Sequence, residues 1–114
     1  MSLRDDAAVT DILRAVRRAQ EHVAGMDEAA FRLDEKTQDA VLYQTAIVGE
    51  AARRVSGEYR DAHPDIPWQD MIGMRSKLIH DYEQVNLGLV WATLTSDFPM
   101  LAEMLEPIVP REGP

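Results

Sequence analysis

Val41, Thr45, Val48, Ala52, Val55 and Tyr59 follow one another at steps of four, three, four, three and four residues. Such steps keep side chains on one face of an α-helix, whereas the period of two in a strand would divide them between both faces. Leu42 and Ile47 widen the stripe, so a long helix is expected from about Asp34 to Tyr59. Asp34 suits the N-cap, and Glu35 favours the positive first turn. Gly49, within AIVGEAA, costs a helix about 1 kcal/mol relative to alanine. It is expected where a second helix approaches closely, or where backbone lies near a ligand. Gln44 and Glu50 do not share a face of an ideal helix and read as surface or interhelix polar residues.

The same periodicity runs through DDAAVTDILRAVRRAQEHVAG, where Val9, Ile12, Leu13, Val16, Ala19 and Val23 form one face and Gly25 is the expected stop. MDEAAFRL reads as a short connection with Phe31 or Leu33 folded inward. After the polar run EYRDAHPDIPWQD, Pro67 fits the first position of a third helix, with Trp68, Met71, Ile72, Leu78 and Ile79 on its apolar side. A fourth helix is expected from about Leu87 to Asp97, with Val90, Trp91 and Leu94 inward. Pro99 should interrupt it before a last short helix in MLAEMLEPIV, ended by Pro107 and Pro110. No strand-like alternation persists over a useful length. The expected architecture is a single all-α domain over residues 1–114, a bundle of four to five helices. Its broad apolar faces, on so small a domain, favour a homodimer.

Hydrophobic residues make up 46% of the 114, which argues against disorder. There is no cysteine, so disulfides and thiolate metal ligands are excluded. MSLRDDAAVTD places charges where a signal peptide needs an apolar core, and no stretch reaches the ~20 apolar residues of a membrane span. A soluble cytoplasmic protein is the expectation. The formal net charge is −8, which speaks against a general polyanion binder. The arginines nevertheless cluster early, as Arg14, Arg17 and Arg18, then Arg53, Arg54 and Arg60, then Arg75. The first cluster reads as a solvated face, or as an RNA contact if it folds beside Arg75.

Residues 75–82, RSKLIHDY, carry the chemistry. Arginine offers a rigid cationic fork for phosphate, and histidine exchanges protons near neutral pH. Together they can cleave RNA without a metal, because the 2′-hydroxyl is the substrate's own nucleophile. Spacing does not by itself assemble this pair. Positions five apart lie about 140° apart round an ideal helix. Convergence of Arg75 and His80 therefore calls for unwinding after Ile79, a long reach by Arg75, or pairing across a two-fold axis. Ser76 and His80, at i and i+4, are expected neighbours. The plainer readings are a helix-terminal His80, an Arg75 paired with Asp70 or Asp81, and a half-buried, packing Tyr82. His22 and His63 show no metal-ligand pattern, and no cofactor is called for.

RSKLIHDY matches Arg-x4-His-x-Tyr, and at this motif the chain resembles the HepT-like branch of the HEPN superfamily. The likeness extends through IPWQDMIGMRSKLIHDYEQVNLGLVWATLTSDFPML and, upstream, QTAIVGEAARR. The resemblance implies a helical homodimer with both motifs lining a shared cleft. It implies a metal-independent endoribonuclease toxin of a type VII-like toxin–antitoxin system, acting on cellular RNA including transfer RNA. Arg75 and His80 would be its catalytic pair. The implied partner is an MNT-type nucleotidyltransferase that neutralises the toxin by transferring AMP to Tyr82. The residue after the motif arginine is usually Asn; here it is Ser76, which keeps a donor and an acceptor on a shorter reach. Two rival readings follow, an inactive dimer that binds and regulates the nucleotidyltransferase and a nucleotide-binding helical module.

Overall fold

The computed structural model describes residues 2–80 and 84–111. Its frame is two 20-residue helices, α1 (Leu3–His22) and α3 (Glu35–Arg54), packed along one another. Ser2 caps α1, its side chain accepting from the Asp5 N–H, and Asp34 caps α3 as expected, accepting from the Thr37 N–H. The α1 helix stops at His22, short of Gly25, which adopts a positive φ of 81° in the turn that follows. In the connection lies a five-residue helix, α2 (Glu28–Arg32). Of its two candidate anchors, Phe31 is fully buried and Leu33 is 87% exposed.

The long helix expected to reach Tyr59 breaks at Val55, which is extended, and resumes as α4 (Gly57–Ala62) with Ser56 as its cap. The break has a tertiary cause. Asp5 of α1 is buried, and its carboxylate accepts from both the Ser56 N–H and the Ser56 hydroxyl, each at 2.8 Å. Tying down that N–H removes it from the helical ladder. The stripe survives the kink, because Val55 and Tyr59 are both buried. Arg60 then turns back on the open end of α3, donating to the Ala52 and Arg53 carbonyls.

The Asp5 carboxyl is held below its ordinary value of 3.8, first by the Ser56 backbone N–H and then by the Ser56 and Ser2 hydroxyls. A depressed carboxylate stabilises the fold fully above its unfolded value and loses that contribution as the pH falls through its folded value. Asp5→Asn is therefore expected to flatten the fall in melting temperature below about pH 4. A melting series from neutral to acid pH reads this directly, and an unchanged acid limb would contradict it.

The third helix is two, α5 (Trp68–Ile72) and α6 (Met74–Leu78), with Gly73 ending one and starting the other. Pro67 is the residue before α5 rather than its first member. Gly49 of α3 faces this pair: a β-carbon there would stand 3.1 Å from the Met71 carbonyl oxygen and 3.5 Å from that of Ile72. Close helix approach is thus what the glycine serves. After α6 come two short strands, β1 (Ile79–His80) and β2 (Gln84–Val85), paired antiparallel with Ile79 opposite Val85 and His80 opposite Gln84. No strand was expected here. Two residues are too few to show alternation, and the pairing rests on two β-branched side chains that pack against the core.

Asn86 closes the hairpin, donating its N–H to the Leu78 carbonyl and capping α7 (Leu87–Ala92) through its side chain. A π-helical turn, Thr93–Asp97, leads into α8 (Phe98–Leu105). Pro99 lies in the first turn of α8, and Ala92, Thr93, Asp97 and Phe98 all keep right-handed helical angles. The expected interruption is absent because the widened turn accommodates the missing proline N–H. Val90, Leu94, Phe98, Leu101 and Leu105 are buried along this length. The domain is all-α, the two-residue ladder apart.

Candidate active site

The end of α6 is where the motif departs from an ideal helix. Arg75, Ser76 and Lys77 are exposed, between the buried Met74 and Leu78. The last helical bond runs from the Ile79 N–H to the Arg75 carbonyl, and Ile79 itself is extended, with φ −117° and ψ 108°. The chain therefore unwinds at Ile79, one residue before the point that convergence of Arg75 and His80 called for. The angular separation of an ideal helix no longer applies to this pair. For the same reason Ser76 and His80 lose their i and i+4 relation, which corrects that expectation. His80 is a strand residue paired with Gln84, two positions beyond the helix. Tyr82 and Asp81 lie outside the described residues.

No ion pair joins Arg75 to Asp70 or to any other described residue, so the described residues leave its guanidinium open to a ligand. The α6 helix packs on α3 and α7, with α5 before it and β1 after it. Three of the early arginines pair with carboxylates. Arg17 pairs with Glu106 after α8, Arg14 lies 3.7 Å from Asp11, and Arg54 reaches the same Asp11 at 3.0 Å. The α1 helix, which carries Arg14, Arg17 and Arg18, packs chiefly on α3 and α8.

Among the described residues no three His, Asp or Glu side chains gather as a metal site, and no helix is long and apolar enough to cross a membrane. The His63 ring lies 4.5 Å from that of Tyr59, and its backbone carbonyl accepts from the Trp68 indole at 3.0 Å. Sequence reasoning passed over a pocket of about 220 Å³ beside α6, to which Met74, Lys77, Asp97 and Met100 contribute. It joins segments some twenty residues apart, so no local pattern announces it.

The family profile described as ribonuclease HepT-like matches residues 12–108, most of the chain, α6 and the motif included. The chain belongs to the HepT-like family. Among similar proteins is a probable ribonuclease HepT of Thermococcus cleftensis, 36% identical over 84% of this chain and 87% of its own. Two others are provisionally named as RNases. One, from Caldanaerobacter subterraneus, is 34% identical over 81% of this chain and 82% of its own. The other, from Methanocaldococcus jannaschii, is 32% identical over 93% and 98%. No solved structure matches the chain significantly. Within this HepT-like domain, the motif arginine sits exposed near the start of a five-residue helix that gives way to a strand.

Proposed function

We propose that this HepT-like protein is a metal-independent endoribonuclease toxin, with Arg75 and His80 as its catalytic pair. The observation that carries the reading is the family match across residues 12–108, with the Arg75 side chain exposed and without an ion pair among the described residues. In the proposed reaction His80 takes the 2′-hydroxyl proton or gives one to the leaving 5′-oxygen. Arg75 meets the charge that grows on the phosphorus-bound oxygens. The 2′-oxygen bonds to phosphorus as the 5′-oxygen departs, leaving a 2′,3′-cyclic phosphate and a 5′-hydroxyl. Two copies form a homodimer that brings two motifs to one cleft, and cytoplasmic RNA, transfer RNA included, is the substrate. An MNT-type nucleotidyltransferase neutralises the toxin by moving AMP from ATP to Tyr82, whose hydroxyl oxygen bonds to the α-phosphorus as pyrophosphate leaves. The added charge and bulk then stand where the substrate phosphate must sit.

Purified unmodified protein is expected to cut RNA in excess EDTA and to leave cyclic-phosphate ends, read by end-group analysis. After incubation with the nucleotidyltransferase and ATP, mass analysis should find AMP on Tyr82 and cleavage should stop. Tyr82→Phe should keep cutting under the same treatment. Protein that stays inert, even as Ser76→Asn, yet forms a stable complex with the nucleotidyltransferase would instead favour the inactive, partner-binding dimer.

A further inference from the structure

We propose that the pocket beside α6 receives an unstacked nucleobase, guanine before the other three, next to the phosphate held by Arg75. This rests on the RNA-cleaving reading above and adds a site of base choice to it. The pocket encloses about 220 Å³ between α5–α6 and the π turn and start of α8. That is below the roughly 300–1,000 Å³ of sites for drug-sized ligands, and suits one flat ring system rather than a whole nucleotide. Met74 and Met100 supply apolar walls, and thioethers pack well against aromatic rings.

The polar groups decide which ring. Asp70 and Asp97 line the pocket, and neither is in an ion pair with a described residue. Ionised carboxylates only accept hydrogen bonds. Thr93, also in the lining, already donates its hydroxyl to the Leu89 carbonyl, at 2.8 Å, and offers only lone pairs. The occupant must therefore bring donors. Guanine has an N–H and an amino group side by side on its Watson–Crick edge; adenine and cytosine have the amino group alone and uracil one N–H. Single-stranded RNA is commonly read on that edge. Lys77, the one cation among the described residues of the lining, can meet the guanine carbonyl and offsets the repulsion between the carboxylates and the backbone. Arg75 directly follows Met74 in α6, so the base and phosphate sites belong to one short helix. An apolar side chain of a protein partner would have no use for three acceptors.

The test uses the full-length chain as His80→Ala, so that RNA stays intact, and labelled oligouridine hexamers carrying one central G, A, C or none. Fluorescence anisotropy is expected to show about tenfold tighter binding of the G hexamer, a preference lost in Asp97→Asn and Asp70→Asn. Met100→Phe, a change at a half-exposed rim position, should close the pocket and give the same loss with an unaltered circular dichroism spectrum. Equal binding of all four hexamers, or a G preference that survives all three substitutions, overturns the proposal. Mapping the cut sites of the active chain separates the two ideas. Cleavage without G bias beside the cut ends the base pocket and leaves the ribonuclease standing. G-selective binding without any cleavage ends the ribonuclease and keeps the pocket.

Discussion

His80→Ala is expected to lower the rate of RNA cleavage by about 10²–10⁴-fold, the range for loss of a positioned acid or base. Arg75→Ala should cost about 10²–10³-fold, the range for removing one group that stabilises transition-state charge. The two losses differ in kind. Without His80 the limb of the pH–rate profile that it contributes should disappear, whereas Arg75→Ala should keep the shape of the profile at a lower height. Arg75→Lys keeps the charge but not the bidentate fork, and should fall between alanine and wild type. Neither arginine change should disturb the fold, because the side chain is exposed and bears no ion pair to a described residue. Growth inhibition on expression should follow the cleavage rates. Cleavage and growth inhibition undiminished in both alanine variants would remove the pair from the mechanism.

Phe31→Ala is expected to destabilise the domain by about 3–5 kcal/mol, the cost of deleting a buried aromatic side chain and leaving its cavity. Phe31 has no exposure, and its ring centroid lies 5.4 Å from that of Trp91 on α7. Helix α2 has only five residues, far too few to persist without tertiary support. That support is the Phe31 side chain, with the Phe31 carbonyl accepting from the Gln38 amide of α3 at 2.9 Å. The residue thus joins the first connection to the helix that follows the motif hairpin. Urea unfolding should register the loss as a lower midpoint at nearly constant slope. A loss below about 1 kcal/mol, the scale of a surface change, would contradict this account.

The stripes that define α1 and α3 were legible because a 20-residue helix repeats its pattern over several turns. Asp34 could be read as a cap from its own chemistry and that of its neighbours. The break at Ser56 could not, because its cause is Asp5, fifty-one positions away. Pro99 shows the reverse error. Local rules stop a helix there, yet the apolar spacing from Val90 to Leu105 was worth keeping and a π turn absorbs the proline. Around the motif, sequence spacing left three routes to convergence, and an end to the helix at Ile79 is the one with a counterpart in the backbone. The Ser76 and His80 pairing assumed a helix that has already ended. The roles of Arg75, His80 and Tyr82 came from likeness to a family, since three polar residues alone also fit a helix end. The methionine-walled pocket depends on residues 67–78 meeting residues 93–101, a tertiary event with no local signature.

Gly49 sets how deeply α5 rests on α3, since its missing side chain leaves room for the Met71 and Ile72 carbonyls. Those carbonyls end α5, and α6, with Arg75, begins two residues after Ile72. A branched side chain at position 49 would act as a shim, tilting α6 and carrying Arg75 with it. In a genetic screen for loss of toxicity, position 49 would then score beside the motif residues, although it offers no functional group to any substrate. A map of such hits would outline the mechanical seat of the motif as well as its chemistry.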